Sequence, residues 1–336
     1  MKTILTGIRV NSEPTLGNFL GALLPMVRLA NQYSKDHHIN IFIPDLHSII
    51  SDIDGDMQNS IIKEVKYYLA AGLELNNNIH FYRQSFVPAH SELAWILSCI
   101  ATMGELNRMI QYKEKADGKD SASVSIFTYP ILMAADILLY DATYVPVGED
   151  QFQHLELTRD LSIRFNNRFG ETFIVPAKTS EQAKFMGTEN GIRIRDLQNP
   201  EKKMSKSAVS PNSKIMLSDS PEITTKKIMS ATTDNIGKIQ FDMFNQPGVS
   251  NLLQIESLVS GIPLQQVIAT WAGETRYGEL KQKVASTVSS MLSEFQNRLS
   301  VIPDQLIYDL LKTGEFYANE VANAKILEVQ KAFKLR

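Results

Sequence analysis

Two hydrophobic periods alternate along the first half of the chain. Lys2 to Ile8, Ile39 to Ile43, Ile79 to Tyr82 and Tyr144 to Val147 are short apolar runs set between polar stretches, and they read as strands. Leu16 to Tyr33 instead carries Phe19, Leu20, Leu23, Val27 and Leu29 along one helical stripe, and Ser60 to Leu73 and the segment from about Pro88 to Lys115 share that period. Strands alternating with helices predict an α/β fold built on a doubly wound parallel sheet. Trp95 and Met109 read as packing residues of the third helical stretch. Ala116 to Ala122 is small and polar, as a loop would be, and a charge-rich helix follows Gly148 through His154, Glu156 and Arg159.

Gly, Asn, Pro and Ser become frequent from Gly187 to Ser210, which marks a loop-rich boundary. Beyond it the pattern is helical throughout, at 221–230, 248–260, 263–271, 278–299 and 316–335. The chain is therefore expected to divide into an α/β unit over 1–208 and a smaller all-helical unit over 209–336.

Composition narrows the choice of class. A chain of 336 residues is long enough for a core and a second unit, and its net charge of -3 means that any nucleic-acid partner must be met by a local basic patch. Cys99 is the only cysteine, which excludes an internal disulfide and a multi-cysteine zinc site; within the apolar run Leu93 to Ile100 it reads as a buried thiol. No leader pattern precedes the first strand and no apolar run reaches membrane-spanning length, so a cytoplasmic protein without a membrane partner is expected.

Two segments carry candidate phosphate chemistry. Thr15-Leu16-Gly17-Asn18 opens a helix directly after a strand and loop, where unpaired N–H groups and the positive helix end attract an anion, although a threonine in that position is usually only a helix cap. Lys203-Met204-Ser205-Lys206-Ser207 sets two lysines in a polar loop able to swing onto a polyphosphate, where a solvated basic loop is the commoner fate. Together they resemble the two-part signature of the class I aminoacyl-tRNA synthetases.

The likeness extends along most of the chain. Gly104 to Met109, Lys113 to Lys115, Tyr129-Pro130, Met133 to Leu138, Val145 to Gln151 and Pro247 to Leu252 occur in family order, and with them the sequence resembles the bacterial tryptophanyl-tRNA synthetases. That resemblance implies a Rossmann-like catalytic domain over 1–208, a helical anticodon-binding region over 209–336, and a homodimer. It also implies ATP with Mg²⁺, L-tryptophan and tRNA(Trp) as reactants and partner.

The indole of tryptophan offers one polar handle, an N–H that only donates, so a carboxylate is its natural reader. The resemblance assigns that role to Asp136, with Met133 one turn earlier against the ring, Tyr129 and Gln151 near the amino-acid head group, and His47, Leu5, Gly7, Val145 and Val147 around the pocket. Asp136 lies among apolar neighbours, where a carboxylate lacking a partner is costly, and a ligand donor would resolve that conflict. On the nucleotide side the resemblance implies Arg9, Val10, Asn11, Gly17, Asn18, Lys115, Gly148, Glu149, Asp150, Ile194 and the whole of Lys203 to Ser207. Thr15, Asn18, Lys203 and Lys206 would carry the catalysis.

Arg9-Val10-Asn11-Ser12 departs from the family's usual Pro-(Ser/Thr)-Gly segment, Leu5 replaces a common aromatic, and Ala208 replaces a common aspartate. Three other activities compete with this reading: a tyrosyl enzyme, a non-catalytic nucleotide- or RNA-binding descendant, and a small-molecule adenylyltransferase. A phenol both donates and accepts, the lysine loop is intact, and the long helical tail has no use in an adenylyltransferase. The carboxyl-terminal Lys281, Lys283, Arg298, Lys312, Lys325, Lys331 and Arg336 are interspersed with acids and define no clear RNA surface.

Overall fold

Strand β1 (Lys2–Gly7) is the centre about which a four-stranded parallel sheet assembles in this computed structural model, which describes residues 1–7, 13–50, 56–110, 112, 123–186 and 193–336. β2 (His37–Ile43) pairs with β1, β3 (Ile79–Arg83) with β2, and β4 (Ala142–Tyr144) with the opposite side of β1, giving the order β3-β2-β1-β4. The chain thus changes direction of travel across the sheet at β1, which opens a crevice at the carboxyl ends of β1 and β4, the ligand side of such sheets. Alternation along the strands sends Ile4, Ile39, Ile41, Ile43, Ile79 and Phe81 into one core and Leu5, Phe42, Tyr82 and Ala142 into the other.

The run after β1 starts as α1 (Leu16–Asn18), widens to a π-helical stretch at Phe19–Leu23 and continues as α2 (Leu24–Tyr33). α3 (Asp45–Ser48), α4 (Met57–Ala70), α5 (Ala89–Ser98), α6 (Met103–Asn107), α7 (Val124–Leu138), α8 (Phe152–Phe169) and α9 (Thr179–Met186) complete the first part. The helical region that follows holds α10 (Pro221–Met229), α11 (Pro247–Ser260), α12 (Leu264–Trp271), α13 (Tyr277–Val301) and α14 (Asp304–Ala332). Among the described residues no helix is long and apolar enough to cross a membrane.

Several expectations are corrected. β4 ends at Tyr144 instead of running to Val147, because Val145 N–H turns to the Gln182 side chain and Pro146 has no N–H to pair. The last helix begins at Asp304, behind Pro303, and not at 316. Trp95 is 73% exposed and Cys99 is also exposed, since α5 buries the face carrying His90, Leu93, Ile96 and Leu97 and turns the other outward. Met109 is buried as expected.

α14 returns to the sheet and covers the β3 edge, a position at which open strands otherwise invite aggregation. Gly314 allows that approach, because a Cβ there would fall on the Phe81 carbonyl oxygen. The Tyr317 ring stacks on His80 at 3.5 Å between centroids, and Arg83 meets Glu315 through two bonds of 2.5 and 3.0 Å. Both cores consequently run past residue 208: Ile215, Ile255, Val288 and Phe295 join one, and Ala318, Ala322, Ile326 and Val329 join the other. The expected boundary at 208 does not coincide with a break in packing.

Candidate active site

Asp136 lies in the last turn of α7, fully buried, and its carboxylate is the hub of a polar cluster. Oδ1 accepts from Gln84 Nε2 at 2.7 Å and from His90 Nδ1 at 2.6 Å, and Oδ2 accepts from His47 Nε2 at 3.0 Å. Burial alone would raise this carboxyl, but the bonds and charges of His47 and His90 outweigh it and hold the group at about 2. The expectation of a carboxylate awaiting a ligand is therefore corrected, because protein donors already take three of its roughly four acceptor positions. One position remains, on Oδ2.

Other residues expected around the amino acid lie on or beside four elements. His47 follows β2 on α3 and meets the Tyr129 ring edge-on at 6.2 Å, while Met133 is partly buried one turn before Asp136. Leu5 is buried in the sheet, and at the end of the same strand Gly7 lies against the Phe42 ring, which a Cβ would approach to 3.0 Å. Val145 is buried and Val147 partly so; the fully buried Gln182 fixes this stretch by accepting from Val145 N at 2.9 Å and donating to the Thr143 and Ala177 carbonyls.

A second chain of bonds joins Tyr129 Oη to His154 Nε2 at 3.1 Å, His154 Nδ1 to Gln151 Oε1 at 2.9 Å, and Gln151 Nε2 to Asp150 Oδ2 at 2.7 Å. An amide oxygen only accepts, so His154 Nδ1 carries the proton, and in the uncharged ring Nε2 receives the Tyr129 O–H. A Cβ on Gly148 would lie 2.7 Å from Asp150 Oδ1, so this exposed side chain would have to turn away from its present place.

The two phosphate segments are in contact. Met204 is buried against the helix start, where a Cβ on Gly17 would meet its Cβ at 3.2 Å, so the close approach that Gly17 permits is to the lysine loop. Thr15 caps the helix: its Oγ1 donates to Asn18 Oδ1 at 2.9 Å and accepts from Asn18 N at 3.3 Å, while Leu16 N–H goes to the Ile215 carbonyl at 2.8 Å. The expected row of unpaired N–H groups is thus largely occupied. Ile194 is buried and its carbonyl accepts from Met204 N at 2.9 Å, so that backbone group holds the loop.

Lys203 is exposed and Lys206 half-buried, with Ser205 and Ser207 bonded through their hydroxyls at 2.9 Å. Burial lowers the Lys206 ammonium, opposed by the charges of Glu64 and Glu13. Lys214 closes the loop from beneath by donating to the Lys206 carbonyl and, at 3.0 Å, to that of Ala208. Arg9, Val10, Asn11, Lys115 and the Glu149 side chain lie outside the described residues. Among the described residues no group of three or more His, Cys, Asp or Glu is arranged to hold a metal ion.

His90, Gln84, His154, Gln182 and Lys214 were not singled out by the sequence. Gln84 follows β3 at the ligand end of the sheet and His154 stands one helical turn from Gln151, which are the local signals available. Of the basic carboxyl-terminal residues, Lys281 donates to the Ala231 carbonyl, Lys325 pairs with Asp141 at 2.9 Å and Arg298 with Glu294 at 3.5 Å.

Residues 2–293 match the family model of class I tRNA synthetases for tryptophan and tyrosine (W and Y). The chain is 43% identical, over 100% of its length and 99% of the relative's, to a tryptophan–tRNA ligase of Caldanaerobacter subterraneus, and 41% identical, over 99% and 98%, to one of Halalkalibacterium halodurans. Among solved structures it is similar to a tryptophanyl-tRNA synthetase of Mycoplasma pneumoniae, with TM-score 0.84 and 32% identity over 100% of this chain and 98% of that one. It is also similar to the Campylobacter jejuni tryptophanyl-tRNA synthetase complexed with ADP and tryptophan, with TM-score 0.78 and 29% identity over 99% of each.

Proposed function

The chain belongs to the class I tRNA synthetases for tryptophan and tyrosine, and we propose that it acts as a tryptophan–tRNA ligase with the cluster around Asp136 as its amino-acid site. The observation that carries the choice of amino acid is the single acceptor position left on Asp136 Oδ2. An indole N–H fills it completely, whereas a phenol would still need a donor for its own oxygen. Tyr129, aligned by His154, and Gln151, aligned by Asp150, would take the α-ammonium; Met133, Val145, Val147, Leu5 and Gly7 would enclose the ring.

In the first step a tryptophan carboxylate oxygen attacks the α-phosphorus of ATP as the bond to the pyrophosphate leaving group breaks. No protein nucleophile is required, so catalysis consists of positioning and of stabilising charge on the leaving phosphates. Lys203 and Lys206 supply that charge, with Met204 and Gly17 setting the loop over the helix start. Asn18, Gly148, Asp150 and Ile194 would contact the nucleotide, and Thr15 would act through its cap on Asn18. Mg²⁺, where bound, would share the phosphate charge with these lysines. In the second step the ribose 2′-OH at the tRNA 3′ end attacks the adenylate carbonyl and AMP departs. A homodimer that binds tRNA(Trp) through the helical region, in the cytoplasm, completes the reading.

ATP–pyrophosphate exchange with each amino acid in turn tests it. Exchange with tryptophan, lost in Asp136→Ala, is expected; exchange with tyrosine would overturn the pocket assignment, and silence with every amino acid would point to a non-catalytic descendant.

A further inference from the structure

We propose that His90 and Gln84 are positioning residues for side-chain recognition: they saturate Oδ1 of Asp136 and so present the remaining acceptor position on Oδ2, in one orientation, to the substrate. The inference rests on the reading of Asp136 as the acceptor for the indole N–H.

A carboxylate at the end of its side chain can exchange its two oxygens by rotation. Here the two faces differ. Oδ1 is held by Gln84 Nε2 at 2.7 Å and His90 Nδ1 at 2.6 Å, both from fully buried residues, whereas Oδ2 lies on the side of His47, whose ring keeps 18% of its surface in solvent. His90 is fixed from its other end by Tyr140, whose hydroxyl is 2.9 Å from Nε2, and its ring stacks with Phe42 at 6.4 Å. Gln84 is set by the short helical turn that directly follows β3. Neither residue is on the solvent side of the carboxylate; both act through it.

Selectivity follows from this placement. With Oδ1 filled, the carboxylate has room for one more donor and must find it in the pocket, since an ionised, buried oxygen without a partner is expensive. A substrate ring lacking the N–H leaves that position empty and is rejected. Without His90, the carboxylate can turn and its charge is less well supported. The ionisable groups around it are His47 from α3, His90 from α5, Tyr82 from β3 and Tyr140 just after α7. Burial pushes the carboxyl up, and in the absence of His90 only His47 and the Gln84 amide oppose that push.

The test compares kcat/KM in ATP–pyrophosphate exchange for L-tryptophan and for L-β-(benzothiophen-3-yl)alanine, in which sulfur replaces the ring N–H. Both are measured from about pH 5 to 8 for the full-length wild type, His90→Ala, His90→Asn and Gln84→Met, with KM for ATP as the check on the rest of the site. In His90→Ala the preference for tryptophan should fall about 10- to 100-fold, as for a lost bond to a charged group, and activity with tryptophan should fall off at the acid end of the range, where the wild type, its carboxyl held at about 2, keeps it. His90→Asn, which returns a short N–H donor, should restore most of both. Gln84→Met should lose preference in the same direction, and decides the matter if His90→Ala does not fold. A purely structural role would lower both substrates equally and bring no such fall at the acid end. Unchanged preference in active His90→Ala and Gln84→Met overturns the proposal. If wild type exchanges with tryptophan but does not prefer it over the analogue, it is the Asp136 reading that has failed, and this inference with it.

Discussion

A carboxylate removed from water must either be surrounded by donors or give up its charge, and two buried acids of this chain take opposite courses. Asp136 has three donors and is held at about 2. Glu64, on α4 and 8% exposed, is pushed by burial from 4.5 to about 7, with the charge of Lys206 pulling the other way. Its folded value lies above the unfolded one, so the folded state binds the extra proton between them. The associated stability is complete below 4.5 and lost as pH rises through about 7. Glu64→Gln should remove a slope of about 3 kcal/mol between acid and alkaline conditions, read from urea unfolding at both ends; an unaltered slope would refute the assignment. Lys206→Ala should slow adenylate formation about 100-fold or more while tryptophan binding, followed by equilibrium titration, stays the same. Asp136 and the two lysines were singled out in the sequence because each stands in a local segment that resembles a family motif. His90 and Gln84 were not, since they reach Asp136 across 46 and 52 residues and no spacing within either segment betrays the meeting.

At the scale of single elements the hydrophobic periods place most strands and helices well, because a buried face imposes its period on whatever sequence forms it. They fail where a side chain substitutes for a strand. Gln182 supplies the hydrogen bonds that a neighbouring strand would have given β4, and the apolar run through Val147 is therefore loop. They also fail to say which face of a helix is covered, as the exposed Trp95 shows. β2 contains its own conflict: Asn40 is fully buried and neither its Oδ1 nor its Nδ2 has a hydrogen-bond partner. Asn40→Val retains a residue suited to a strand and removes two costly groups, so it should raise stability by about 1 kcal/mol or more, seen as a higher denaturation midpoint with the same m-value. A fall in the midpoint would mean that the amide is satisfied in solution. Gly314→Ala tests the opposite case, in which a methyl group has no room. The added Cβ would meet the Phe81 carbonyl, so α14 must lift from β3 at a cost of about 3 kcal/mol or more, and an unshifted midpoint would rule out this close packing.

The whole molecule is joined more tightly than its order of elements indicates. Residues 209–336 read as a separate helical unit because every segment there is helical and a loop-rich stretch precedes it, yet a helical period reports only that one face is buried and not what lies against it. In the fold that face is turned to the sheet: Ala318, Ala322, Ile326 and Val329 share a core with Leu5, Phe42 and Tyr82, and Phe295 packs edge-on to Phe19 at 5.4 Å. The same closure brings Met204 onto Gly17, so the lysine loop owes its position over the helix start partly to elements that come after it in sequence. Ile215 accepts the first N–H of α1, and Asn251 on α11 receives the Arg195 N–H at 2.8 Å beside the loop. Removing residues 304–336 should therefore disturb the sheet as well as the helical region. It uncovers the β3 edge and opens both cores, and the truncated chain should aggregate or lose its cooperative thermal transition. A truncated protein that unfolds cooperatively and still exchanges pyrophosphate with tryptophan would show that the sheet region stands without α14, and that the helical region is a separable unit after all.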